Sequence, residues 1–173
     1  FKTYAAATLD DMFTPEQIKG AQVLKANYFN SSYLQNNGNG KFSITALPLA
    51  AQVSTLNGMQ VDDFNGDGNL DIAINGNDFG TEVSVGRYDA LNGLIMLGDG
   101  KGGFVPQSIL ESGLFLPGNG KALVKLTNAK GEYLIFMNSG DTFYDDSVLE
   151  KIENQLTAEF DIYYGDYYRV YSN

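Results

Sequence analysis

Nine consecutive residues constrain this chain more than any others: Asp63, Phe64, Asn65, Gly66, Asp67, Gly68, Asn69, Leu70 and Asp71. Oxygen-bearing side chains fall at loop positions one, three, five and nine, namely Asp63, Asn65, Asp67 and Asp71. A hard cation such as Ca²⁺ takes six to eight oxygens at about 2.3–2.6 Å, and alternate residues of a tightly curled loop can deliver them. The backbone carbonyl of Asn69, at position seven, adds another. Gly66 and Gly68 permit the positive φ angles that such a curl needs. Without a cation, three carboxylates this close repel one another and raise each other's pKa. The spacing therefore predicts a calcium loop; a solvated Asp/Asn/Gly turn is the alternative.

Position twelve sets the kind of loop. A helix-flanked calcium loop needs a bidentate Glu there, and this chain has Ile74. Leu70 to Ile74 alternates as a strand does, and Gly58 to Val61 before the loop is also strand-like. The loop is expected to join two β-strands.

Composition bounds the rest. A chain of 173 residues can bury a core and is expected to hold one or two domains. Its 43% hydrophobic content argues against general disorder. The 20 glycines, many beside Asn or Asp, favour strands joined by tight turns. A formal net charge of −10 argues against nucleic acid or an anionic membrane surface as partner, and fits cation binding. With neither Cys nor His, the chain has no disulfide, no Cys/His zinc site and no His-based triad. No run approaches the roughly 18 apolar residues of a membrane span. Beginning at Phe1 with no signal-peptide pattern, it reads as a processed product or an excised piece.

In chain order, Thr14 as N-cap, Pro15 at the first helical position and Gln17 completing a capping box predict a helix over 15–26. It is expected to cover a sheet edge. β texture follows from Tyr28. Ser32 to Gln35 leads through the turn Asn36 to Gly40 into the alternating run Lys41 to Thr45. The same grammar returns as Gly93 to Leu97, a turn over Gly98 to Gly103, then Phe104 and Val105. Phe42 and Phe104 stand 62 residues apart, which predicts a repeat of that length containing one calcium loop.

Asp63 to Asp71, followed by Leu97-Gly98-Asp99-Gly100-Lys101-Gly102-Gly103-Phe104, resembles an FG-GAP/VCBS repeat, the blade of integrin-type β-propellers. Residues 30 to about 127 carry the resemblance. It implies a mainly β fold of antiparallel propeller-like blades, with Ca²⁺ held by Asp63, Asn65, Asp67, the Asn69 carbonyl and Asp71. A closed propeller needs at least four blades, so this chain is expected to be part of a longer secreted or cell-surface protein.

A long insertion leaves the strand after the loop and runs from Asn75 to Ala90. Its Asp78, Phe79, Glu82, Arg87, Tyr88 and Asp89 mix aromatic anchors with charges, as protein or glycan recognition requires. The alternative is a polar crossover whose charges satisfy one another.

Two glycine-rich stretches imitate nucleotide sites. Gly98 to Gly103 has the Gly-x-Gly-x-x-Gly spacing, but Phe104-Val105-Pro106 follows it instead of a helix that would face a pyrophosphate. Gly118-Asn119-Gly120-Lys121 lacks the phosphate-loop spacing and the following Ser/Thr. Both are expected to be hairpin turns.

Beyond residue 128 the texture changes. Glu132 to Met137 reads as a buried strand, Asn138-Ser139-Gly140-Asp141 as an acidic turn, Asp145 to Leu156 as a helix, and Phe160 to Asp166 as a strand. From Gly131 to about Tyr168 this resembles an internal stretch of family 2 glycosyltransferases, which implies Asp141 beside a metal-bound nucleotide-sugar diphosphate. The β-α-β units that should precede it are missing. Three segments result: a helical or extended stretch over 1–29, β repeats over 30–130, and a strand-helix-strand segment over 131–173. The leading function is a non-enzymatic calcium-binding module for binding or adhesion. The alternatives are a glycosyltransferase fragment and a structural spacer.

Overall fold

The computed structural model describes residues 2–128 and 131–138, together with Ser147 and Glu150. The described chain is mainly β, with antiparallel sheets and a few short helices. Three four-residue helices come first: α1 (Lys2–Ala5), α2 (Leu9–Met12) and α3 (Pro15–Ile18). The Thr14 cap and the Gln17 capping box form as their chemistry dictates. The helix nevertheless ends at Ile18, well short of residue 26, and Gly20 follows at a φ of +83°. It buries no residue, so it does not cover a sheet edge. With no apolar stripe packed against a partner, nothing extends it beyond its cap.

The hairpin β1 (Ser32–Asn36) and β2 (Phe42–Ala46) follows, closed by the expected Asn/Gly turn. A 3₁₀ turn at Leu49–Ala51 then leads into a four-stranded meander. Its strands are β3 (Leu56–Asp62), β4 (Asp71–Gly76), β5 (Leu94–Gly98) and β6 (Phe104–Gln107), paired in sequence order. Helix α4 (Ile109–Ser112), capped reciprocally by Ser108 and Glu111, connects to the hairpin β7 (Gly120–Asn128) and β8 (Gly131–Asn138). Gly118 and Asn119 thus lie on the approach to β7, and the expected hairpin turn there does not form. α4 separates β6 from β7, and β7 pairs with β8 in a separate sheet, so Gly118 joins no two neighbouring strands.

Strand positions recur with a fixed offset. β1 and β5 begin at Ser32 and Leu94, and β2 and β6 at Phe42 and Phe104, each pair 62 residues apart. The connection between β7 and β8 has no counterpart of the nine-residue loop; only residues 129 and 130 lie between the strands. The boundary expected between residues 130 and 131 falls inside this hairpin, whose strands pair from Gly120↔Asn138 to Asn128↔Gly131. The expected helix over 145–156, the strand over 160–166 and Asp141 lie outside the described residues.

The core sits on one face of the meander. Ile72, Ile74, Leu94 and Met96 pack with Leu47, Ala51 and Leu91, flanked by Tyr33, Ala50, Leu56 and Phe104. Tyr33 meets Phe104 edge-on at 5.6 Å between ring centroids, which ties the first hairpin to the meander. β4 is buried along its whole length. Its opposite face carries Asp71 and Asn75, continued by Asn77 just past the strand's end, all at 0–1% exposure, so each must be satisfied internally.

A candidate metal centre between β3 and β4

β3 and β4 end their pairing at Asp62↔Asp71, and residues 63–70 form the connection between them. Gly66 and Gly68 take φ angles of +76° and +88°, the left-handed conformations on which the curl depends. The curl winds about Asp63. Its Oδ1 accepts the N–H groups of Gly66 at 2.8 Å and Asp67 at 3.1 Å, and its Oδ2 accepts that of Gly68 at 2.8 Å.

Two further side chains point along the loop. Asn65 Oδ1 accepts from the Asp67 N–H at 2.9 Å, and Asn65 Nδ2 donates to Asp67 Oδ2 at 3.0 Å. Asp67 Oδ1 accepts from the Asn69 N–H at 2.7 Å. That backbone donor, with the Asn65 amide second, holds the Asp67 carboxyl below its ordinary value. The exposed end of the loop thus carries one ionised carboxylate, that of Asp67.

Asp71 anchors the other end. Its Oδ2 accepts the Phe64 N–H at 2.9 Å and its Oδ1 accepts the Gly98 N–H at 2.8 Å. One fully buried carboxylate therefore connects the loop, the start of β4 and the end of β5. The adjacent turn from Asp99 to Gly103 is built the same way. Asp99 Oδ1 accepts the N–H groups of Lys101 at 2.7 Å and Gly103 at 2.9 Å, which lowers its pKa.

The donor set contains only oxygen among its candidate ligands, as a hard cation requires. The carboxylates, however, are directed at backbone N–H groups. Among the described residues no three acidic side chains converge on a common point as a ready-made cage. An ionised carboxylate offers about four lone-pair sites, more than the donors that reach Asp63, Asp67 and Asp71 occupy.

The insertion after β4 divides in two. Asn75 and Asn77, expected within it, belong instead to the buried sheet. Asn75 Oδ1 accepts the Gly58 N–H at 2.9 Å and Nδ2 donates to the Ala122 carbonyl at 2.7 Å. Asn77 Oδ1 accepts the Leu91 N–H, while Nδ2 donates to the carbonyls of Leu91 and Gly118. Asn57 Nδ2 reaches the carbonyls of Asn77 and Gly120, and Gln60 Nε2 that of Leu123. Together these side chains join the meander to β7, and sequence reading missed them. The available signal was polar residues at period two, Asp71, Asn75 and Asn77, on a strand otherwise apolar.

The outer part of the insertion is a loop closed by a bridge between Asp78 and Tyr88. The Arg87 guanidinium lies over the half-buried Phe79 ring at 4.9 Å. Asp78 approaches Lys121 at 3.8 Å. The Glu82 carbonyl accepts from Val85 and Gly86, and Thr81 hydrogen-bonds the Gly86 carbonyl. Tyr88 is 46% exposed, and Glu82 and Asp89 are also exposed. Phe79 and Tyr88 are thus not equivalent: one lies under a cation, the other faces water.

No family model, curated protein or solved structure matches this chain.

Proposed function

We propose that the segment from residue 30 to 130 is a calcium-binding β-repeat module of FG-GAP/VCBS kind, working without catalysis in binding or adhesion. In this reading it belongs to a larger secreted or cell-surface protein, and the antiparallel meander β3–β6 is one propeller-like blade. The observation that carries the proposal is the 63–71 loop. Asp63 accepts three N–H groups of its own loop, the two glycines take left-handed angles, and Asp71 fixes the loop to both β4 and β5. The 62-residue offset between β1–β2 and β5–β6 supports the repeat element.

Asp63, Asn65 and Asp67 with their side-chain oxygens, Asn69 with its carbonyl, and Asp71 would hold the ion. Bound Ca²⁺ supplies two positive charges that offset the carboxylates' mutual repulsion. The chain's own part is positional. Asp71 holds the loop against the Gly98 end of β5, so ordering the loop orders that corner of the sheet. The partner-recognising surface would then be the outer insertion, through Asp78, Phe79, Glu82, Arg87, Tyr88 and Asp89, on a protein or glycan.

Calorimetric titration with Ca²⁺ tests the reading. One site is expected, with a dissociation constant of about 0.1–1 mM if the loop resembles extracellular modules. Asp63→Ala should abolish the heat signal while retaining the β spectrum. Titration indistinguishable from buffer dilution in the wild-type protein would reduce the loop to a turn.

A further inference from the structure

Seven Asn–Gly bonds stand in this chain. At each, the glycine nitrogen can attack the side-chain carbonyl carbon of the Asn before it. Glycine favours the attack because it has no Cβ to hinder the approach or the backbone rotation that the approach needs. Two things oppose it: a hydrogen bond that holds the Asn side chain, and one that holds the glycine N–H.

Six of the seven bonds are restrained by the fold. The Gly58 and Gly66 N–H groups donate to Asn75 Oδ1 and Asp63 Oδ1, and the amides of Asn57 and Asn65 are themselves bonded. Asn75 is buried with both polar atoms of its side chain engaged. Asn37 Nδ2 donates to Ser43 Oγ at 2.6 Å, and the Gly38 N–H donates to Asn36 Oδ1 at 2.9 Å. Asn92 is half-buried, its carbonyl accepts the Leu116 N–H, and the side chains of Leu114 and Leu116 crowd Gly93. Asn119 is also half-buried, and Gly120 after it is buried and pairs with Asn138.

Asn39 differs from all of these. It is exposed at a φ of +52°, and Gly40 follows at +71°. The two are the central residues of a hairpin turn that the Lys41 N–H closes onto the Gly38 carbonyl at 3.0 Å. Among the described residues, neither the Asn39 side chain nor the Gly40 N–H has a hydrogen-bond partner. The corresponding turn 62 residues on is braced, because Asp99 Oδ1 accepts the N–H groups of Lys101 and Gly103. Asn37 stands where that turn has Asp99, and its side chain goes to Ser43 instead.

We infer that the fold selects Asn39 as the site at which this chain first deamidates, with water as the co-reactant. The Gly40 nitrogen gives up its proton and bonds to Asn39 Cγ, the Cγ–Nδ2 bond breaks, and ammonia leaves. Water then opens the resulting succinimide ring at one of its two carbonyls. Attack at Cγ yields aspartate in an ordinary chain; attack at the main-chain carbonyl yields isoaspartate, with the chain running through the former side chain. Either product adds one negative charge. Isoaspartate also lengthens by one carbon a main chain that has only two residues between Gly38 and Lys41.

Ageing the folded protein in warm, mildly alkaline buffer tests this, with peptide mapping by mass spectrometry at intervals. The mass gain from amide to acid should appear first at Asn39, which fragment spectra separate from Asn37. A matching acidic species should appear on ion exchange, and an isoaspartate methyltransferase should label the same peptide. In urea, where the fold restrains nothing, the seven sites should react at comparable rates. Asn39→Gly keeps a residue that accepts positive φ, and it should remove the first acidic species without changing the circular dichroism spectrum. An earlier gain at Asn37, Asn92 or Asn119 in the folded protein would overturn the inference. So would the same preference for Asn39 in urea, which would make the local sequence the selector and not the fold.

Discussion

Asn75 hydrogen-bonds the backbone of Gly58 across the β3–β4 pair, its side-chain oxygen accepting the Gly58 N–H at 2.9 Å where the ladder register shifts. Its amide nitrogen crosses to the Ala122 carbonyl at 2.7 Å, so one side chain serves two strands of different sheets. Glycine is required opposite it. A Cβ at position 58 would stand 2.5 Å from Asn75 Oδ1 and 2.5 Å from the Leu123 nitrogen. Asn75→Ala leaves a donor and an acceptor without partners in a buried place, at about 1–3 kcal/mol each. Urea denaturation should show that loss, and Gly58→Ala should also destabilise by pushing β7 away. A loss below about 0.5 kcal/mol for Asn75→Ala would mean the junction has another source.

Acid should weaken the turn at Asp99. Its folded pKa lies below the ordinary 3.8 because Lys101 and Gly103 donate to the ionised form. A depressed carboxylate contributes stability that is fully present above the unfolded value and is lost as pH falls through the folded one. Asp99→Ala should therefore melt lower than wild type at pH 6, with the gap closing as pH drops below about 3.8. A gap that persists unchanged at pH 2 would assign the effect to packing instead of charge.

The strands were legible because their alternation is local. The runs around Ser32–Thr45, Gly58–Ile74 and Gly93–Val105 all became strands, and the loop at 63–71 was bounded within a residue of its position. The helix over 15–26 failed for a tertiary reason: the cap chemistry was right, but no sheet receives its apolar side. Asn75 and Asn77 were hidden by a different rule. Polar residues beside glycine usually mark loops, and only the arrival of Leu91, Gly118 and Ala122 from distant segments makes these two internal.

The outer insertion should be nearly neutral for stability. Arg87 is exposed over the half-buried Phe79 ring, a cation–π pair of the order of 0.5–1 kcal/mol. Arg87→Ala should lower stability by no more than about that amount. Tyr88→Ala should behave likewise, since Tyr88 is 46% exposed. A loss well above 2 kcal/mol for either would make the loop part of the core. Weakened capture of a glycan or protein partner without such a loss is the result expected of a recognition surface.

Thermal melting with and without calcium tests the account most directly. For one site of about 0.1–1 mM affinity, 10 mM Ca²⁺ stabilises the folded state by about 1.4–2.7 kcal/mol through mass action. The melting temperature should rise with Ca²⁺, fall back with chelator, and respond to neither in Asp67→Ala, whose carboxylate holds the exposed end of the loop. A wild-type melting temperature that is the same in 10 mM Ca²⁺ and in chelator would contradict the proposed metal centre.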